Sequence, residues 1–81
     1  MPTDLTRYLV RTPEDHVGDV TAELVRRGAA LDGLDRAESE EGILIIRTRV
    51  SKARMDGFDA WLTRNTRGIG KFTEDSNATA S

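Results

Sequence analysis

The sequence predicts an α+β domain in which four strands form one antiparallel sheet and two helices cover one face of it. Two observations support this prediction. Segments with the period-2 alternation of strands and segments with the 3.6-residue period of helices follow one another in the order β-α-β-β-α-β. Breaks that contain glycine or proline separate these segments, so each is short enough to be one element of a layered domain.

The first half of the chain supplies a strand, a helix and a second strand. Residues 5–11 alternate as a strand that ends before a proline. We expect Thr12 to cap the next helix, because a proline and two acids follow it in the first turn. This helix should run to Gly28, since glycine closes helices in the left-handed conformation. The strand at residues 30–36 is expected to bend at Gly33.

The third strand is the strongest of the chain. A polar turn at residues 38–42 leads into residues 43–50, where an apolar run followed by alternation is typical of a central strand. Ser51 is then expected to cap a second helix that runs to about Asn65, with an apolar stripe at helical spacing.

A glycine-rich break at residues 66–70 separates the second helix from a short last strand at residues 71–74. The remaining residues are small and polar. We therefore expect a single domain over residues 1–74 and a flexible tail over residues 75–81.

Two β-α-β halves with right-handed crossovers form the ferredoxin-like sandwich, in which the first and third strands lie side by side in the middle of the sheet. On the first helix we expect Val25 to flank the buried side and Glu23 to lie on the polar side. The predicted core consists of Tyr8, Val10, Val17, Val20, Leu24, Leu44, Ile46, Val50, Met55, Phe58 and Leu62.

Composition limits the function. The 81 residues include no cysteine, which rules out disulfides and thiolate chemistry, and the longest apolar run has four residues, far below the roughly 20 of a membrane helix. No export leader is recognised, so a cytoplasmic location without a membrane partner is expected. The net charge is −2, yet residues 42–75 carry seven basic and four acidic side chains, which permits a local basic face.

The best candidate site is the sheet face opposite the helices. If the core residues of the central strands point inward, alternation sends a mixture of arginines and aliphatic side chains outward. This face could bind RNA phosphates, bind a second copy or another protein, or have no specific partner. Cross-strand acids from Asp32 or Glu74 could also neutralise the arginines. Arg64, Arg67 and Lys71 form a second candidate surface around the glycine-rich break. The residues predicted on the sheet face are Arg7, Leu9, Arg11, Ile45, Arg47 and Arg49.

Catalytic, metal and cofactor sites are not expected. Residues 68–73 resemble a phosphate-binding loop, but the first glycine and the hydroxyl after the lysine are missing. His16 is the only histidine, and a packed or half-exposed ring is its ordinary state. The acids Glu38, Glu40 and Glu41 are typical of a solvated turn, although they could attract a cation or a basic partner.

Four motifs together resemble the C-terminal domain of translation elongation factor G. They are a proline-acid opening followed by Gly18-Asp19-Val20, an Arg-Gly helix exit at Gly28, Asp56-Gly57-Phe58, and the loop Thr66-Arg67-Gly68-Ile69-Gly70. The resemblance runs from about Leu5 to Thr73, and the family usually has glutamine at the position of Arg67.

The resemblance implies a non-enzymatic ferredoxin-like module whose partner is the ribosome or another translation component. In the family this domain touches the GTPase-associated region of the large ribosomal subunit. We expect a stand-alone domain that hydrolyses no GTP. The alternative is a small dimeric interaction or regulatory domain without a nucleic-acid role.

Overall fold

In a computed structural model, which describes residues 5–75, the four strands form one antiparallel sheet in the order β2-β3-β1-β4. This confirms the predicted ferredoxin-like α+β fold, with β1 and β3 in the middle. The predicted tail lies outside the described residues except for Asp75, whose N–H donates to the carbonyl of Arg7 at 2.7 Å. The elements are β1 (Leu5–Pro13), α1 (Val17–Arg26), β2 (Ala30–Arg36), β3 (Ile43–Ser51), α2 (Phe58–Asn65) and β4 (Lys71–Glu74).

The core lies between the helices and one face of the sheet. Ten of the eleven predicted core residues are buried, and Val17 is only partly so because it lies at the start of α1. Sequence reasoning missed three buried threonines, Thr12, Thr48 and Thr66. Thr48 is tolerated inside because its hydroxyl donates to the carbonyl of Ala30 at 2.7 Å.

The prediction that Thr12 caps the first helix is wrong. Thr12 is a fully buried residue of β1, whose pairing with β3 continues to Pro13 opposite Ile43. A 3₁₀ turn over Glu14–His16 follows, and α1 begins only at Val17, without a side-chain cap. The end of the helix is as predicted. Gly28 has φ +84°, and the hydrogen bonds of the turn close a Schellman motif.

The burial of two residues of α1 also differs from the prediction. Val25 is 58% exposed, whereas Glu23 is buried. The carboxylate of Glu23 accepts from Arg26 at 3.0 Å and from Arg27 Nε at 2.9 Å. Burial of the acid is tolerated because two guanidinium groups satisfy its oxygens.

The second helix is shorter than predicted, because Ser51 continues β3 opposite Leu5 instead of capping a helix. A 3₁₀ turn over Lys52–Met55 comes next, and Gly57 at φ +81° redirects the backbone before α2 begins at Phe58.

The loop after α2 is held by Thr66. Its buried hydroxyl donates to the carbonyl of Leu62 at 2.6 Å and accepts from the N–H of Gly70 at 2.7 Å. A Cβ at Gly70 would lie 2.7 Å from that hydroxyl, so the last glycine of the loop is required by the close approach of its neighbours. These contacts position β4 beside β1.

Candidate functional site

The sheet face that the helices leave uncovered, here called the open face, carries the six residues predicted on it. These residues alternate with the buried positions of β1 and β3, and side chains of directly paired residues lie side by side. The cross-strand pairs are Arg7 with Arg49, Leu9 with Arg47, and Arg11 with Ile45. The structure therefore brings the predicted set together as one contiguous surface over the two central strands.

Aromatic side chains are absent from the open face among residues 5–75. All four aromatic residues pack on the helix side, where Phe58 stacks on Trp61 at 5.7 Å and meets Phe72 edge to face at 5.2 Å. Tyr8 makes a similar edge contact with Phe72 at 5.6 Å. Since sheets that read RNA bases stack them on exposed aromatics, the open face can hold phosphates but offers no stacking platform.

Acidic side chains accompany the arginines. Asp32 accepts from Arg49 Nε through both carboxylate oxygens, at 2.9 and 3.1 Å. Asp35 lies 3.0 Å from Arg47 Nε. The hairpin turn contributes Glu40, which pairs with Arg11. Of these acids, the sequence indicated Asp32 as a possible cross-strand partner.

Arg47 and Arg49 reach their partners because β2 is irregular. The pairing of β2 with β3 shifts between Leu31 and Gly33, so Asp32 is the extra residue of a β-bulge. Gly33 lies opposite Arg47 and has no side chain, and the guanidinium occupies the space above it. Where the sequence predicted a bend at Gly33, the structure has this register shift, and its consequence is the placement of two arginines.

A depression of about 200 Å³ opens at the end of the face where β1 begins. Arg7 has no ion pair within residues 5–75, unlike the other three arginines of the face. The depression therefore contains a guanidinium that forms no ion pair with a described carboxylate. Its lining residues are Arg7, Tyr8, Asp32, Arg47, Thr48, Arg49 and Asp75.

Lys71, which the sequence grouped with the second surface around the glycine-rich loop, adjoins the open face. It lies on β4 directly opposite Arg11, so the two cations are neighbours. Arg64 and Arg67 are exposed at the end of α2 and in the turn that follows it. Arg67 has φ +58°, a left-handed conformation that is uncommon outside glycine. Of the second candidate surface, Arg64 and Arg67 are the two residues that lie off the sheet.

Two groups near Glu74 of β4 have raised pKa values. Burial, and secondarily the charge of Glu74, raise the pKa of Tyr8. Glu74 also lies 3.0 Å from the Nζ of Lys52, and this hydrogen bond raises the pKa of the lysine. The sequence offered Glu74 as a partner of the open-face arginines, but Glu74 lies opposite the buried Tyr8 and so shares the helix side of the sheet with it.

The remaining sequence candidates offer no reactive arrangement. His16 is half-buried at the start of α1. Within residues 5–75 no three His, Cys, Asp or Glu side chains lie close enough together to hold a metal ion. No helix in this part of the chain is long and apolar enough to cross a membrane.

The chain is similar in sequence to elongation factor G. It is 36% identical over 64 residues to the factor from Granulibacter bethesdensis and 36% identical over 63 residues to that from Aquifex pyrophilus. These matches cover 79% and 78% of this chain, but only 9% of either factor. No protein-family model matches the chain.

The fold is also shared with a solved structure. A crystal structure of a protein from Thermus thermophilus superposes with a TM-score of 0.74 at 25% sequence identity, over 88% of this chain and 10% of that one. The chain therefore spans about a tenth of the length of each of these three proteins.

Proposed function

The chain is a relative of elongation factor G with the fold of that factor's C-terminal domain, and from this premise we propose that it is a non-catalytic module that binds ribosomal RNA through its open face. The relation to a translation factor also supports a cytoplasmic location. The observation that carries the proposal is the contiguous set of Arg7, Arg11, Arg47, Arg49 and Lys71 across β1, β3 and β4.

Phosphate contact is the mode of binding that this surface supports best. Guanidinium groups form bidentate hydrogen bonds with phosphate oxygens. The α-carbons of arginines two residues apart on one strand are separated by roughly 7 Å. Because the open face has no aromatic side chain, binding should depend little on base sequence. Affinity should also fall as salt rises, with a slope of about 0.7 for each phosphate contacted on a single strand.

Co-sedimentation with ribosomes at low and raised salt tests the proposal. The wild-type domain should pellet with ribosomes at low salt and be released by added salt. Arg47→Glu with Arg49→Glu should reduce the pelleted fraction at least about tenfold, because two phosphate contacts are replaced by repulsion. Because the new carboxylates would face Asp32 and Asp35, the neutral double variant Arg47→Gln with Arg49→Gln should be measured as well. Thermal unfolding should confirm that both double variants fold.

The matched control carries the same charge change on the other candidate surface, in Arg64→Glu with Arg67→Glu. If the open face is the binding surface, this variant keeps most of its affinity. Equal binding by wild type and both open-face variants would remove the open face from consideration. Loss of binding only in the control would assign the contact to the end of α2.

Exposed aliphatic side chains on the open face support a second candidate function, which is dimerisation. Leu9 and Ile45 occupy the centre of the open face, and Leu5 at its edge is 48% exposed, so the face could pair with a second copy. A dimer that persists in high salt and is absent from the ribosomal fractions would favour this alternative. Sedimentation velocity of the free domain at both salt concentrations distinguishes the two functions.

A further inference from the structure

Most of the cations on the open face have carboxylate partners that come from β2 and the turn after it. Arg49 and Asp32 are 42% and 33% exposed at their side chains, and Arg47 and Asp35 are 52% and 55% exposed. A dissolved anion can therefore reach each guanidinium. The pairs are arranged along one side of the face, whereas Arg7 on β1 has no such partner among the described residues.

The backbone of β2 is shaped to hold these pairs. The bulge at Asp32 places its carboxylate against Arg49, and the bare α-carbon of Gly33 lets Arg47 extend over β2 to Asp35. A regular strand with a side chain at position 33 would block that path. Both guanidinium groups therefore lean toward the outer edge of the sheet.

We propose that Asp32 and Asp35 are built-in competitors of the RNA phosphates on the open face, so that RNA first contacts Arg7 and then displaces the two carboxylates from Arg47 and Arg49. This inference rests on the proposed function. A carboxylate and a phosphate accept hydrogen bonds from a guanidinium in the same way, so one must yield to the other or be repelled by it.

Such competition predicts that the acids weaken binding. Each Arg-phosphate contact releases cations from the RNA, but a displaced carboxylate takes up cations again, so the two effects oppose each other. An uncharged amide at position 32 or 35 removes the competitor without removing an arginine. Affinity should then rise, and the salt dependence should become steeper.

The test uses Asp32→Asn, Asp35→Asn and the double variant, with a fluorescein-labelled single-stranded 12-mer of uridine as the probe. Fluorescence anisotropy at several salt concentrations gives the affinity and its salt slope. We expect binding about twofold to fivefold tighter for each substitution, as for the loss of an exposed ion pair, with a steeper slope in the double variant. The charge-matched control is Asp19→Asn, which lies exposed on α1, on the other side of the sheet.

The outcomes separate the two proposals. If the Asp32 and Asp35 variants gain no more affinity than Asp19→Asn, while Arg47→Glu with Arg49→Glu still weakens binding, the competitor role is refuted and the proposed function stands. If no variant binds the probe even at low salt, both fall. Arg7→Gln should weaken binding in the wild type and in the double variant alike, and unchanged binding would refute its role as first contact.

Discussion

The guanidinium of Arg47 lies directly over Gly33 of the neighbouring strand, so close that a Cβ at the glycine would collide with Nη2 and stand 2.8 Å from Cζ. The two residues are cross-strand partners. Gly33 is not among the glycines with positive φ, so a glycine is favoured here by its lack of a side chain and not by its backbone conformation. That space lets a side chain from the centre of the sheet reach a carboxylate on its edge.

Gly33→Ala should leave the fold intact and move Arg47 away from Asp35. The obstacle is the end of a flexible, exposed side chain, so the free energy of unfolding should change by less than about 1 kcal/mol. The buried control is Gly70→Ala, whose Cβ would meet Thr66 Oγ1 at 2.7 Å and Leu62 Cδ1 at 2.9 Å and should cost about 1–3 kcal/mol. Denaturant unfolding compares the two variants, and the NMR signal of the Arg47 Nε–H reports its displacement. Equal costs would contradict this explanation.

The topology could be predicted from the sequence because alternation and helical period are local signals. Leu44, Ile46, Thr48 and Val50 alternate as buried residues of β3, and the strand order follows from the handedness of the crossovers. The same alternation located the open face. In this part of the fold, local pattern and long-range packing agree, which is why the prediction succeeded.

The helix starts could not be predicted, because pairing between distant strands overrides local capping signals. Thr12 and Ser51 both look like caps, yet each is held in a strand by a partner more than thirty residues away. The Arg49–Asp32 and Arg47–Asp35 pairs also could not be predicted from local sequence. They depend on the β-bulge in β2, which arises only when β2 pairs with β3. The sequence also did not predict that Lys71 adjoins the open face, because its pairing with Arg11 joins the two ends of the chain.

Arg27→Lys should destabilise the domain although the charge is kept. Arg27 Nε donates to Glu23, and its Nη1 donates to the carbonyls of Arg54 and Asp56 at 2.8 and 2.9 Å, while the guanidinium lies 5.2 Å from the ring centre of Phe58. An ammonium cannot serve all of these positions at once, so we expect a loss of about 1–3 kcal/mol.

Arg26→Lys is the control for this prediction. Arg26 also pairs with Glu23, but its side chain is 76% exposed, so the change should stay within about 0.5 kcal/mol. Chemical denaturation of the two variants under identical conditions provides the measurement. A similar loss in both would mean that the charge near Glu23, and not the shape of the guanidinium, stabilises the end of α1.

Lys71→Glu should weaken binding to the labelled uridine 12-mer more than Arg64→Glu does. Lys71 adjoins Arg11 on the open face, whereas Arg64 lies at the end of α2. We expect about a threefold to tenfold loss for Lys71→Glu and less than a twofold loss for Arg64→Glu. Both substitutions change the net charge equally, so a general charge effect would lower the two affinities together and would contradict a role of Lys71 in the open face.

The domain should lose stability at alkaline pH through Tyr8. Burial raises the pKa of this tyrosine above the 10.0 of an exposed phenol, so above about pH 10 the unfolded chain gives up its proton before the folded one does. Unfolding is then favoured progressively until the pH passes the folded pKa. The raised pKa of Lys52 acts in the same direction, since the stability that its contact with Glu74 contributes below the unfolded pKa is lost as the pH rises through the folded value.

Tyr8→Phe isolates the contribution of the tyrosine. Because Tyr8 is the only tyrosine, the ultraviolet absorbance of tyrosinate follows its titration directly in the folded domain. Urea unfolding from about pH 8 to about pH 11 should show a shallower loss of stability in Tyr8→Phe than in the wild type, with the residual slope coming from Lys52 and other alkaline groups. A folded-state midpoint at or below pH 10 would contradict the burial argument, because burial can only disfavour the charged phenolate.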